Sequence, residues 1–437
     1  MSPLKNDFLL HMDYSNEPRH DILCVDIKSF FASVEAVERG QHPLTARIAV
    51  VSKPDSQGGL VLAASPKVKE LYQIKTGSRV YEIPRQAKIQ IVEPRMELYL
   101  EKNLAIIDIF KRYVPVKDLH VYSIDESFLD VSHSTKLFGS RQEISSKIQK
   151  EIWQELKLIA TVGMGDNPLL AKLALDHEAK HQSLNNYQAY WSYESVPLTI
   201  WQIERLSDFW GIGSKTEKKL NRLGIYNLYD LAQSDFYFLK KYFGVMGQQL
   251  FFHAHGIDRT LLSDRFQPKE NSFSKNQILP HDYYQPKDVE IVIREMTEEN
   301  ASRLRKHKLV TGVVKLTIGY SKEVLTPGFN RQMKIEASDS SSQLIKAVLK
   351  IFHRYYENYP VRTINVSFKA LSLKQERQLS LFEPLESLII DEELDEVVDL
   401  VRQKYGYTSL LHASSLTKNS MAIRRSKLLG GHQANTK

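Results

Sequence analysis

Cysteine is almost missing from this chain: Cys24 is the one thiol among 437 residues, which excludes an internal disulfide and any cysteine-rich zinc site. It lies in an apolar run and is expected to be a buried structural thiol rather than a reactive one. Long apolar runs are missing too. No stretch approaches the roughly 20 apolar residues needed to span a bilayer, and the N-terminus lacks the basic-then-apolar order of a secretory signal. A cytoplasmic protein is expected. Compositional extremes are equally absent: 42% hydrophobic and 25% charged residues are ordinary for a globular protein and argue against a disordered or fibrous chain. There is no internal repeat and no low-complexity tract.

What is present in excess is positive charge. The formal net charge is +7, a bias toward polyanions such as nucleic acid. Residues 271–370 hold 16 Lys and Arg against 10 Asp and Glu, a surplus of +6 that concentrates the bias in one segment. A chain of 437 residues also exceeds what one hydrophobic core usually serves, so several domains are expected.

The pattern along the chain is α+β without regular βαβ repeats. Residues 1–20 are a polar leader. Ile22 to Val25 is a short apolar run ending at Asp26, as in a buried strand that delivers a carboxylate at its tip. Further strands are expected at Ile48–Val51 and Gly59–Ala63, with the start of a helix over Pro66 to Tyr72 and a helix from Leu98 to Tyr113 stopped by Pro115. His120–Ile124 and Ser127–Val131 read as a hairpin with Asp125 and Glu126 in its turn. A helix at 143–158 and a strand at 159–163 follow. From about 200 to 260 short helices separated by glycines replace strands, marking a boundary. A second α+β unit then has strands at 312–319 and 364–368 and helices at 288–306 and 341–356. The chain becomes acidic from Asp391 to Asp399, and its basic end, 424–437, is expected to be mobile.

Carboxylates brought together at strand ends are what in-line transfer of a nucleotidyl group requires, because hard ions such as Mg²⁺ take oxygen ligands. Asp26 after one strand and Asp125-Glu126 at a hairpin are placed for that. The text around them is more specific. Asp26-Ile27-Lys28-Ser29-Phe30-Phe31-Ala32-Ser33-Val34-Glu35 and Ser123-Ile124-Asp125-Glu126 resemble the two signature motifs of Y-family translesion DNA polymerases, and later parts of the chain resemble the UmuC-like branch.

The resemblance implies residue roles. Asp26 and Asp125 would bridge two Mg²⁺ ions, Glu126 would hold the catalytic one, and the Ile27 carbonyl would complete the nucleotide-side metal. Phe30 and Phe31 would meet the incoming nucleotide, with Phe31 as the steric gate whose ring leaves no room for a 2′-hydroxyl. Triphosphate handling departs from the family pattern of a Tyr and an Arg: Ser65 stands at the first position and Lys69 at the second, so the charge is kept but the bidentate fork is lost. Lys180 matches the family's second phosphate lysine.

DNA contacts are implied elsewhere. Trp210-Gly211-Ile212-Gly213-Ser214-Lys215-Thr216, then Lys218-Lys219-Leu220 and Leu223-Gly224-Ile225, has the form of a helix-hairpin-helix. Its Gly211, Gly213 and Lys215 would let backbone amides and a cation approach a phosphate. Arg303, Arg305, Lys306 and Lys308 form a basic cluster in the second α+β unit. Gln378-Leu379-Ser380-Leu381-Phe382, with Gln378, Leu379, Leu381 and Phe382 as its contacts, resembles the peptide that docks on the bacterial sliding clamp.

The resemblance thus implies a right-hand-like multidomain α+β polymerase. It has a leader at 1–20, a palm at 21–35 and 97–186, fingers at 36–96, and a thumb at 187–262. A little finger at 270–372 and a tail at 373–437 complete it. The expected function is low-fidelity, template-directed DNA synthesis past damage, on primer-template DNA with dNTP, by a protein that is monomeric apart from the sliding clamp and accessory factors. A palm-fold nucleotide cyclase and a non-catalytic DNA- and clamp-binding factor are the alternatives. The hairpin and clamp motifs count against the first, and the intact carboxylate set against the second.

Overall fold

The computed structural model describes residues 13–56, 58–84, 86–264, 271–374 and 385–434, with backbone alone for 385–389. The chain divides into two compact units, residues 1–265 with 432–437, and residues 266–431. Among the described residues no helix is long and apolar enough to cross a membrane.

The first unit opens with strand β1 (Ile22–Ile27), helix α1 (Phe30–Val37), β2 (Ile48–Val51), β3 (Val61–Ala64), α2 (Pro66–Tyr72), β4 (Gln90–Val92) and α3 (Met96–Phe110). Then come β5 (Leu119–Val121), β6 (Glu126–Asp130), α4 (Thr135–Phe138), α5 (Arg141–Leu156), β7 (Ala160–Gly165), α6 (Pro168–Ala174) and β8 (Gln188–Trp191). Strand β1 is the centre of a five-stranded sheet in the order β5-β6-β1-β7-β8, antiparallel to both neighbours. Successive side chains of a strand point to opposite faces, and here the alternation sorts the core. Leu23, Val25 and Ile27 pack with Tyr99, Ile106, Ile109, Ile144, Ile148 and Ile152 of α3 and α5. Ile22 and Cys24 face the other way, against Leu169, Leu170 and Leu173 of α6. Asp26 shares that second face by parity.

Helix α6 lies against β7 because Gly163 and Gly165 have no side chain. A Cβ at Gly163 would stand 2.1 Å from the Ala171 carbonyl oxygen, and one at Gly165 would stand 2.3 Å from the Ala171 nitrogen. Pro168 at the helix start and Asn167, whose side chain accepts from the Leu170 amide, set where α6 begins. Its last turn widens into a π-turn over Leu175–Ala179, a local irregularity frequent at functional sites.

A three-stranded sheet, β3-β2-β4, packs Ile48 and Val50 on Ala32 and Ala36 of α1 and Val51 and Val61 on Val68 of α2. Short helices α7 (Ser214–Asn221), α8 (Leu228–Ala232), α9 (Phe236–Phe243) and α10 (Val245–Ala254) finish the unit around Leu220, Leu228, Leu239 and Leu250.

The second unit contains β9 (Phe273–Tyr283), α11 (Pro286–Lys306), β10 (Leu309–Tyr320), β11 (Gly328–Ser338), α12 (Ser341–Tyr355), β12 (Val361–Leu373), α13 (Leu385–Tyr405) and α14 (Ala422–Ser426). Its sheet runs β11-β10-β12-β9, all antiparallel, with α11 and α12 on one face over Val314, Leu316, Ile318, Ile364, Val366 and Phe368. Strands β9 and β11 are additions to the sequence reading.

The basic end is not loose over its described part. Arg425 of α14 is 6% exposed and bonds Glu299 of α11 at 2.5 Å and Glu295 at 3.4 Å, so the expectation of a mobile 424–437 is corrected there. A second correction concerns Glu126. It is the first residue of β6, opposite Asp26 in register, while Asp125 alone occupies the turn.

Candidate active site

Three local rules bring the carboxylates to one place. The β1–β6 register sets Asp26 opposite Glu126, the two share the α6 face, and the turn before β6 adds Asp125. The Ile27 amide donates to the Asp125 carbonyl at 2.9 Å, and the Asn103 side chain donates to the Ile124 carbonyl at 2.7 Å, which pins the turn from α3. Ser123 donates its hydroxyl to the Asp125 carboxylate at 2.7 Å.

Each remaining carboxylate has a lysine. Lys172 of α6 meets Glu126 at 2.7 Å and Lys180 meets Asp26 at 3.3 Å, while Asp176 lies between the two lysines at 3.0 and 2.8 Å. Burial acts against both ammoniums, yet Asp176 with Glu126 for Lys172, and Asp26 with Asp176 for Lys180, hold them above the ordinary lysine value. Burial also pushes the Asp26 carboxyl up to about 6, the nearby Asp125 and Glu126 adding to the rise and Lys180 opposing it. Cys24 is fully buried behind this pair, donates to Glu126 at 3.3 Å, and has its thiol pushed well up by burial and by that carboxylate.

The donor set is carboxylate and carbonyl oxygen throughout, which suits a hard divalent ion. Among the described residues no three acidic, His or Cys groups converge closely enough to hold a metal as they stand. The ammoniums of Lys172 and Lys180 supply the counter-charge instead. A dication entering here would replace like charge with like, facing Asp26, Asp125 and Glu126 as the two ammoniums do in part.

Beside the carboxylates lies a cationic wall. Lys69 donates to the Ser29 hydroxyl at 2.9 Å and Lys28 to the Lys180 carbonyl at 2.8 Å. Burial lowers both ammoniums; Lys180 depresses each further, as does Lys69 for Lys28. Ser29 has φ +50°, a left-handed conformation uncommon for a residue with a Cβ, and it turns the chain sharply from β1 into α1.

Phe31 is half-buried, and its ring stacks on Tyr99 at 4.3 Å. Two other expectations are corrected. Phe30 is 2% exposed and belongs to the core, so its side chain is not free to meet a nucleotide. Ser65 is fully buried; its hydroxyl donates to the Ala46 carbonyl at 2.6 Å and accepts from the Ile48 amide, tying α2 to β2 and leaving nothing for a phosphate.

The hairpin expected at 210–216 has Gly211 at φ +93° and Gly213 as the N-cap of α7, with Ser214 and Lys215 exposed at the helix start. In the second unit the basic cluster splits. Arg303, Lys306 and Lys308 are exposed, but Arg305 is turned inward, bonding Asp399 at 2.6 Å and Asp395 at 3.1 Å. Those acids come from α13, so Arg305 is withdrawn as a DNA contact and the acidic 391–399 stretch acquires a structural partner. Asp395 also accepts from the Ser341 amide at 2.8 Å, at the N-terminus of α12. The clamp-like peptide, Gln378 to Phe382, lies outside the described residues.

The sequence reading missed three features. Asp176 stands four residues from Lys172 on one side and four from Lys180 on the other, an acid–base spacing visible in the string. Tyr99 gave no such signal. The third is the open face of the second unit's sheet, where paired positions put Ser274, Asn276, Lys315, Thr317, Asn330, Gln332, Lys334, Asn365 and Lys369 side by side, with Glu336 the next outward position of β11.

Comparison with known proteins gives the family. Residues 25–176 match the impB/mucB/samB family, 270–381 the C-terminal domain of the same family, and 193–225 the IMS family HHH motif. The chain is 42% identical over 428 residues to UvrX of Bacillus subtilis (strain 168), named for UV-damage repair, covering 97% of this chain and 100% of that protein. It is 31% identical over 415 residues to DNA polymerase IV 2 of Halalkalibacterium halodurans, covering 94% and 98% of the two chains. The solved structure of a Y-family DNA polymerase chimera superposes with TM-score 0.65 at 20% identity, over 81% of this chain and 99% of that one, a likeness of fold. The chain belongs to the impB/mucB/samB family of Y-family DNA polymerases.

Proposed function

We propose that this protein is a low-fidelity, template-directed DNA polymerase of translesion synthesis and DNA repair, acting in the cytoplasm on primer-template DNA and dNTP. The observation that carries the reading is the register of Asp26 against Glu126 on adjacent strands, with Asp125 in the adjoining turn.

Asp26, Asp125, Glu126 and the Ile27 carbonyl would hold two Mg²⁺ ions, which when bound activate the primer 3′-hydroxyl and neutralise charge on the departing pyrophosphate. Catalysis then rests on positioning and charge, since phosphoryl-type transfer asks little covalent chemistry of the protein. Lys180 and Lys69 would face the triphosphate. Phe31 would lie under the sugar and exclude a 2′-hydroxyl.

Duplex DNA would be held without regard to sequence. The exposed amides at the start of α7, with Gly211, Gly213 and Lys215, suit one phosphate backbone. The open sheet face suits another, its Lys315, Lys334 and Lys369 supplying charge and its Ser, Thr, Asn and Gln side chains hydrogen bonds. Arg303 and Lys306, exposed at the end of α11 on the sheet's other side, would offer further charge. Gln378, Leu379, Leu381 and Phe382 would dock on the bacterial sliding clamp and tether the enzyme near the primer end.

The test is extension of a primed template with Mg²⁺ and one dNTP at a time, on undamaged and abasic templates. Addition directed by the template base, continuing opposite the abasic site, is the expected result. A purified protein that extends neither template sinks the reading.

A further inference from the structure

The triphosphate side of the site carries a cation that the family resemblance leaves without a role. Lys28 lies two residues after Asp26, in the turn between β1 and α1, and is half-buried. Its ammonium donates to the Lys180 carbonyl at 2.8 Å and stands 4.3 Å from the centre of the Tyr187 ring. Both partners are neutral. By contrast, Lys180 is matched by Asp26 and Asp176.

The ring is placed there at a cost in backbone conformation. Asn186 and Tyr187 are consecutive left-handed residues, with φ +52° and +57°, immediately before β8. Such strain persists where the surroundings enforce it and clusters at functional sites. Here it presents an aromatic face to a lysine that forms no close ion pair among the described residues, Asp26 acting on it only from a distance.

The site is also short of donors. Ser65 occupies the position where a phosphate-gripping hydroxyl is expected and spends its hydroxyl on the Ala46 carbonyl, and Lys69 keeps the charge of an arginine without its fork. We propose that Lys28 is a third triphosphate-binding cation, which leaves the Lys180 carbonyl for the phosphate oxygens of the incoming nucleoside triphosphate. The inference rests on the polymerase reading above. Its driving force is the exchange of a bond between a cation and a neutral carbonyl for one between a cation and an anion, which adds Coulomb attraction in a half-buried site.

The competing role is structural: a lysine that caps the carbonyl at the end of a helical turn. The two roles separate in single-nucleotide addition of dTTP on a primed template by wild type, Lys28→Ala, Lys28→Met and Lys28→Arg, with thermal melting of each. The expected result is a KM for dTTP raised about tenfold in Lys28→Ala and Lys28→Met, the size of one lost charge-assisted bond. Inhibition by pyrophosphate should weaken in parallel, primer-template affinity should stay within about twofold, and Lys28→Arg should restore most of the loss. Pyrophosphate inhibition is the readout that a mere cap would not move. A lowered melting temperature with unchanged KM and unchanged pyrophosphate inhibition assigns Lys28 to the cap and overturns the proposal. If Lys28→Ala does not fold, Lys28→Met, which retains the stem, decides on the same criteria. Wild type that adds no nucleotide would overturn the polymerase reading and this inference with it, whereas active wild type with an indifferent Lys28 overturns the inference alone.

Discussion

The ring of Phe31 lies nearly parallel to that of Tyr99, with centroids 4.3 Å apart and planes 15° apart, and the Tyr99 hydroxyl donates to Glu35 at 2.8 Å. Glu35 is fully buried and is gripped by Arg95 at 2.8 and 3.0 Å and by Arg39. Burial would raise its carboxyl, but these arginines and Tyr99 hold it below the usual range. The ring proposed as the sugar gate is therefore backed by a second ring, itself fixed by a buried charge network. A gate works only if it cannot yield.

That arrangement makes the steric role measurable. Phe31→Ala should raise the ratio of rNTP to dNTP kcat/KM by up to about 100-fold, the scale on which a shaped pocket rejects one added hydroxyl. Deoxynucleotide addition should change far less, because only the 2′-hydroxyl meets the ring. An unchanged ratio in single-nucleotide assays removes the role from Phe31.

Asp125→Ala tests the carboxylates. The turn is held by backbone and Asn103 bonds that the substitution spares, so DNA affinity should stay within about threefold. Nucleotide addition should fall by more than the ~10–100-fold that loss of an outer partner of a metal ligand costs. Substantial extension at saturating Mg²⁺ would show that the metal assignment is wrong.

The open sheet face of the second unit makes a salt-dependent claim. Replacing Lys315, Lys334 and Lys369 by Gln should weaken primer-template binding for every sequence alike and flatten the plot of log K against log salt by about 0.9 per lost phosphate contact. A parallel plot for wild type and variant would place the DNA elsewhere.

How far the string foretold this molecule depended on how local the cause was. Asp26 was legible because an apolar strand leads to it, and the start of α2 was foretold by Pro66, whereas its end at Tyr72 was not. Ser65 was misread because its burial comes from a long-range bond to Ala46 that no local pattern carries. Arg305 was misread for the same reason, its partners Asp395 and Asp399 lying some ninety positions on. The edge strand β11 hid in a polar sequence because one of its faces is solvent. Glu126 was assigned to a turn because a two-residue hairpin is the simplest reading of Asp-Glu between apolar runs, and only the register shows it inside β6.

The clamp motif can be tested apart from the chemistry. Replacing Gln378, Leu381 and Phe382 by Ala should leave single-nucleotide addition unchanged, since the motif is separate from every residue assigned to catalysis. Stimulation by loaded clamp on a long primed template should disappear, because short peptides draw their affinity from a few anchors. Equal stimulation of wild type and variant would withdraw the clamp as a partner.

The last prediction concerns what the C-terminal stretch does for the second unit. Arg425 bonds Glu299 and Glu295 of α11, and Glu295 also accepts from the Ser420 hydroxyl at 2.6 Å and the Met421 amide at 3.1 Å. Arg425 and Glu295 are 6% and 3% exposed. A buried pair of this kind adds little over a well-packed apolar replacement, but removing one partner strands the other's charge. Arg425→Met should therefore cost about 3–5 kcal/mol of unfolding free energy, read from the urea midpoint at constant slope. Its partner test is Arg425→Met with Glu295→Gln and Glu299→Gln, which removes the stranded charges, leaves an amide oxygen to accept from Ser420 and Met421, and should recover part of the loss. If Arg425→Met alone costs under about 1 kcal/mol, the range of an exposed ion pair, the segment after Tyr405 is not integral to the unit and composition was the better guide to it than the contacts of α14.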